Sequence, residues 1–261
     1  MRGRIAARLR AQWQAVHGDA AFSFEPFVVL AAAAVALTLL EYLGTPERAS
    51  VALAWLARGG GSVGAAARAV LRGPWYELAC YASWAIACAV CYVLFPLLVL
   101  RRLRPGEPLS SFGWSAAGLR GHGLTYLLLF AAVLPLVGVA ALRPDFLRIY
   151  PFYSLAGRSA FDFLAWEALY ALQFLSLEFF FRGFLLHTLK RDLGAHAIFV
   201  AVVPYCMIHF SKPLPEALGA IVAGIVLGTL SLRTGSILGG AMLHVAVAVT
   251  MDVLALVRKG A

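Results

Sequence analysis

Ser176-Leu177-Glu178-Phe179-Phe180-Phe181-Arg182-Gly183-Phe184-Leu185-Leu186 is a run of aromatic and aliphatic residues that holds one acid and one base. Backwards it continues through Phe163-Leu164-Ala165-Trp166, so both charges lie inside a segment long enough to span a bilayer. Either charge alone at the bilayer centre costs ~2.5–3.5 kcal/mol on insertion scales. Four residues apart on a helix, Glu178 and Arg182 share a face and can pair. The pair reads either as a structural tie between helices or as a catalytic acid with its orienting base. Intramembrane ionisable residues are functional sites by default, and three more follow downstream, which favours the second reading.

The rest of the chain agrees with a membrane setting. Of 261 residues 62% are hydrophobic, and the mean hydropathy is +0.82. A soluble core cannot use that much apolar surface, so the expected class is an all-α, polytopic transmembrane bundle. The net charge of +9 does not mark a nucleic-acid partner, because the Arg residues flank apolar segments as membrane anchors do. Abundant Ala, Gly and Arg suggest a bacterial gene, hence a multi-pass protein of the inner (plasma) membrane. Cys88 and Cys91 form a C-x-x-C inside a spanning segment with no second pair, and with Cys80 and Cys206 they read as small apolar packing residues.

Taken in order, residues 1–26, with Arg2, Arg4, Arg8 and Arg10, predict a surface amphipathic helix. Spans follow at Phe27–Leu43, Trp75–Leu100, Leu124–Leu142, Phe163–Leu189, Ala195–Phe210, Glu216–Leu232 and Ser236–Val257. That makes about seven, within a range of six to eight. Residues 47–73 read as a loop with interfacial helices, and residues 101–122 and 143–161 as loops. Gly224-x-x-x-Gly228 is a close-packing pattern for membrane helices. Lys and Arg divide almost evenly between the two sides, and only the bias across the first span favours an inside N-terminus. The expected organisation is an N-terminal segment 1–26, accessory helices 27–142 and a catalytic core 160–257.

The last four spans form two tight hairpins, so depths can be compared at ~1.5 Å of rise per residue. Glu178 comes out roughly 16 Å deep, His209 roughly 22 Å, His244 roughly 14 Å and Asp252 roughly 26 Å. All four gather near mid-membrane. Glu167 falls near the opposite interface, where it is expected to snorkel or to pair with a loop base such as Arg158, and His17, His122, His187 and His196 fall at helix ends or in loops. Hydrolysis inside a membrane needs a base for water and donors for the oxyanion, and this set supplies both. His209, His244 and Glu178 could equally hold one divalent ion such as zinc, so the cofactor is none or one metal. No H-E-x-x-H, no G-x-S-x-G and no intramembrane Asp pair of the Y-D and G-x-G-D type is present.

Glu178-Phe-Phe-Phe-Arg182-Gly183, then Tyr205-x-x-x-His209, then His244 in the last span, resemble the CAAX protease and bacteriocin-processing (CPBP) family of intramembrane endopeptidases. The resemblance covers roughly residues 160–257. It implies a helical membrane enzyme that cleaves near the C-terminus or membrane segment of membrane-bound, lipidated or C-terminally anchored proteins, as relatives such as the myxosortases do. Three positions depart from the family pattern. Leu177 stands where a first Glu is usual, Ala248 where an Asn is usual, and Tyr205 where a Phe is usual. The base then falls to Glu178, with Arg182, His209 and His244 beside it. Asp252 is expected to orient His209 or to donate as a neutral acid. Two other readings remain, a non-catalytic membrane scaffold or chaperone of the same fold and a proton-coupled transporter. No internal repeat supports transport.

Overall fold

The computed structural model describes residues 2–17 and 23–260, and it is helical almost throughout. Helix α1 (Arg2–His17) occupies the N-terminal segment, of which residues 1 and 18–22 lie outside the described ones. Then come α2 (Phe24–Leu43), α3 (Pro46–Ala57) and α4 (Gly61–Arg72). Thr45 accepts a hydrogen bond from the Arg48 amide and Pro46 opens α3, so a new helix starts directly after α2. Helices α5 (Tyr76–Ala89) and α6 (Phe95–Leu103) are one rod joined by a π-helical segment, Val90–Leu94. A short helix α7 (Ala117–Arg120), the bare rod α8 (Gly123–Ala140) and α9 (Pro144–Ile149) follow.

The second half begins with α10 (Ala160–Glu178), which runs through a second π-helix, Phe179–Leu186, into α11 (His187–Leu193). The chain then turns back through Gly194, at φ 55°, into α12 (Ala197–Met207), and ends with α13 (Leu214–Thr234) and α14 (Leu238–Lys259). Among the described residues six stretches are long and apolar enough to cross a membrane, and one of them, Ala160–Met207, has 48 residues. It folds back at Gly194, so the seven expected crossings are accounted for.

The Ser176–Leu186 stretch is the hub of this bundle, and every residue of it is buried. Phe179, Phe180, Phe181 and Phe184 are at most 1% exposed. Lipid is as apolar as these rings, so their burial stabilises through close packing rather than through loss of water contact. Tyr92, in the first π-helix, meets Phe180 at 4.7 Å and Phe181 at 6.1 Å between ring centroids. Gly183 admits the loop before α7, since a Cβ there would lie 2.9 Å from the Phe112 carbonyl oxygen. Gly224 and Gly228 set α13 against α12, their added Cβ atoms falling 2.9 Å from Val202 and 3.2 Å from Ile198. By contrast α8 packs against α14 and is otherwise almost wholly exposed to lipid.

At the membrane face opposite the start of α2, residues 143–159 are more than the expected loop. Tyr150 and Tyr153 are buried. Tyr150 donates to Glu216 at 2.6 Å and accepts from Lys212 at 3.1 Å, while Lys259 donates to its carbonyl at 2.8 Å. This cap closes the far end of the α10–α14 pair.

Candidate active site

Glu178 is the last residue of α10 and Arg182 lies one turn on, within the π-helix. π-helical segments inside α-helices often mark functional sites. Arg182 Nη1 stands 3.0 Å from Glu178 Oε1, and the two residues are 2% and 1% exposed. From α14, His244 brings Nδ1 to 2.9 Å from the same oxygen. One turn earlier on α14, Gly240 lets the helix come this close, because a Cβ there would lie 2.7 Å from Glu178 Oε2. These are ion-pair contacts that are not full hydrogen bonds. Both Glu178 oxygens, both Arg182 Nη atoms and His244 Nδ1 therefore have no hydrogen-bond partner among the described residues. Buried polar atoms left unpaired are costly, and a cluster of five at one point marks a place built to engage a polar guest.

Tyr205 of α12 links this centre to the second imidazole. Its hydroxyl is 2.9 Å from His244 Nε2, and its ring lies beneath the Arg182 guanidinium at 4.2 Å. Its backbone carbonyl accepts from His209 Nδ1 at 2.8 Å, and the His209 ring meets the Tyr205 ring at 5.0 Å. Glu178, Arg182, His244 and His209 thus form one constellation, with Tyr205 in its middle. The family resemblance marks Tyr205 only as a departure from the usual Phe and assigns its hydroxyl no role. The available signal was a hydroxyl one turn before a membrane His. A cavity of about 10 Å³, room for about one water, lies against Arg182 and Tyr205 among apolar side chains of the π-helix and α12 and the glycines of α13.

Asp252 does not join them. It is fully buried, but its Oδ2 accepts from Trp166 Nε1 at 2.6 Å rather than from His209. The reason is the antiparallel pairing of two helix faces. Trp166, Tyr170, Phe174 and Glu178 follow at four-residue intervals on α10, as do Gly240, His244, Ala248 and Asp252 on α14. Glu178 meets Gly240 and His244, and Phe174 stacks on His244 at 5.3 Å. Tyr170 and Ala248 share one core cluster, and Trp166 meets Asp252 at the far end. Asp252 is therefore two turns from His244, roughly 12 Å along the axis. Ala248 and Leu177 are both buried in apolar clusters.

Two further expectations need correction. Arg158 pairs with Asp162 at 2.5 Å, not with Glu167, because Asp162 is one turn away at the start of α10, where Ser159 caps the helix. Glu167 instead keeps one buried oxygen without a hydrogen-bond partner among the described residues. His187 is not solvated but 2% exposed, with Nε2 3.0 Å from Ser231 Oγ and Nδ1 3.0 Å from Lys190 Nζ. Helix α11 runs on to Leu193, one turn past the expected end at Leu189, so His187 lies inside the rod rather than at its tip. His122 and His196 are exposed as expected.

Among the described residues no three His, Cys, Asp or Glu side chains converge as ligands. His244 faces Glu178 with one ring nitrogen and Tyr205 with the other, and His209 spends Nδ1 on a carbonyl.

The fold and the site together define a polytopic helical membrane protein with a charged, hydrogen-bond-poor centre inside its bundle. The family model described as type II CAAX prenyl endopeptidase, Rce1-like, matches residues 159–250, so that stretch of the chain is similar to an Rce1-like domain. The match contains Glu178, Arg182, Tyr205, His209 and His244 and ends before Asp252. No curated protein and no solved structure matches the chain.

Proposed function

We propose that the protein is an intramembrane endopeptidase that hydrolyses a peptide bond near the C-terminus, or within a membrane segment, of a membrane-associated protein. One observation carries this reading. A carboxylate deep in the bundle stands between a guanidinium and an imidazole, and all three keep unspent hydrogen-bonding capacity. In this reading Glu178 takes a proton from water, and the hydroxide adds to the scissile carbonyl carbon. Arg182 offsets the Glu178 charge and, with His244, donates to the oxyanion. His209, whose Nδ1 donates to the Tyr205 carbonyl, keeps Nε2 as an acceptor nitrogen and serves as a second proton acceptor. The proton then returns to the leaving nitrogen as the C–N bond breaks.

The test is cleavage of a candidate membrane substrate by the purified protein in detergent or vesicles, comparing wild type with Glu178→Gln. The expected result is loss of the cleavage product with the variant still folded. Cleavage at the wild-type rate would overturn the proposal.

A further inference from the structure

Tyr205 has a hydroxyl that the roles above do not use. Tyr205 is 2% exposed, and its hydroxyl ends 2.9 Å from His244 Nε2. The other ring nitrogen of His244, Nδ1, is 2.9 Å from Glu178 Oε1. These two distances bear on where a neutral His244 keeps its proton. Paired with Arg182, Glu178 is a carboxylate and can only accept. A lone pair on Nδ1 would face carboxylate lone pairs at that distance, which favours the proton on Nδ1 without fixing it, because that contact is not a full hydrogen bond. Nε2 then holds the lone pair and receives the Tyr205 O–H.

We infer that Tyr205 is a positioning residue, whose hydroxyl fixes His244 as an Nδ1–H donor aimed at the Glu178 centre. The inference rests on the endopeptidase reading for its consequence, but the tautomer itself does not. Several contacts hold the hydroxyl in place. The Tyr205 ring is gripped by the Arg182 guanidinium at 4.2 Å and by Phe181 at 5.2 Å, and Gly224 leaves room beside it, a Cβ there falling 3.2 Å from the ring. His244 is held on its other side by Phe174, whose ring stacks on it at 5.3 Å. Ring position is therefore set by packing, and the hydroxyl adds the choice of protonated nitrogen. His244 Nδ1 has no full hydrogen bond, so its N–H remains available to an oxygen arriving beside Glu178. This is how an outer residue fixes the tautomer of a working imidazole in carboxylate- and metal-bound histidines.

Tyr205→Phe is the test, because it keeps the ring and its packing and removes only the oxygen. Two quantities are read. The first is the 15N spectrum of histidine-labelled protein in micelles, with the His244 signals assigned by their absence from His244→Ala. Wild type should show the Nδ1–H form, and Tyr205→Phe should show a mixture of the two neutral tautomers. The second is turnover of a cleaved substrate, where kcat should fall roughly tenfold, as for one lost hydrogen bond, with KM nearly unchanged. An unchanged His244 tautomer in Tyr205→Phe, or an unchanged kcat, overturns the inference. If Glu178→Gln still cleaves, the endopeptidase reading fails separately, and the spectrum still judges the Tyr205–His244 lock.

Discussion

Glu178 and Gly240 face each other across the α10–α14 contact so closely that a methyl group on Gly240 would lie 2.7 Å from Glu178 Oε2. The carboxylate is held on one side by Arg182 and His244 and has no way to retreat. Gly240→Ala is therefore expected to push Glu178 off its partners. Overpacking of this kind costs about 1–3 kcal/mol. Cleavage should fall at least tenfold while most of the protein still folds, as judged by size-exclusion profile. Normal cleavage by Gly240→Ala would show that this contact does not set the carboxylate.

Removing Arg182 leaves Glu178 uncompensated in the bundle. Breaking a buried pair from one side costs about 3–5 kcal/mol. Arg182→Ala should lower both membrane abundance and melting temperature, and Glu178→Gln combined with Arg182→Ala should recover part of the loss. Full abundance of the single variant would show that the pair carries no such strain.

Asp252 belongs to the fold rather than to the reacting centre. In Asp252→Asn one amide oxygen remains to accept from Trp166, whereas in Asp252→Ala the indole N–H is left unpaired at about 1–3 kcal/mol. The melting temperature should drop in the Ala variant and change less in the Asn variant, with kcat per folded molecule unchanged in both. A lost kcat at an unchanged melting temperature would return Asp252 to the site.

Lys212 lies outside the spanning helices, with its ammonium 3.6 Å from the centroid of the Phe152 ring. Burial draws its pKa down to about 8, with Glu216 and Asp252 opposing the shift. The unfolded chain keeps that proton to about pH 10.4. Between about pH 8 and pH 10 the unfolded state therefore binds more protons, and stability attributable to this group rises with pH. Melting temperatures of wild type and Lys212→Met across that window check it. The difference between the two should shift in favour of wild type as pH rises, and a constant difference would contradict the burial.

The ligand geometry also makes a chemical prediction. Because no three potential metal ligands converge among the described residues, treatment with a chelator is expected to leave cleavage unchanged. Loss of activity on chelation and its return with added zinc would contradict the geometry.

What was legible in the sequence was distance along helices. Glu178 and Arg182 pair because their spacing leaves little choice, and His244 reaches Glu178 because the hairpins fix comparable depths. Direction around a helix was not legible in the same way. Asp252 has a plausible depth, but its partner depends on how the α10 and α14 faces align, which the spans alone do not specify. His187 was misjudged for another reason. Its burial depends on α11 continuing the central rod to Leu193, one turn past the expected end. Tyr205 was visible as a letter, but its hydroxyl acquires meaning only when α12 brings it to His244.

The stacked faces of α10 and α14 also act as a gauge of alignment. On one side stand an indole, a phenol, a phenyl ring and a carboxylate. On the other stand a carboxylate, a methyl group, an imidazole and a bare backbone. Each carboxylate finds an N–H donor or a gap only in the observed setting. Sliding α14 by one turn, about 5.4 Å, in the direction that leaves Glu178 level with His244 would take away the Gly240 gap and carry Asp252 from the Trp166 N–H to Tyr170. The opposite slide would leave Glu178 level with Ser236 and carry Asp252 beyond Trp166 to the level of Asp162. The two buried acids, at opposite ends of the same contact, thus check the same alignment twice, so a helix pair assembled out of step would lose the fold's far anchor and its charged centre together.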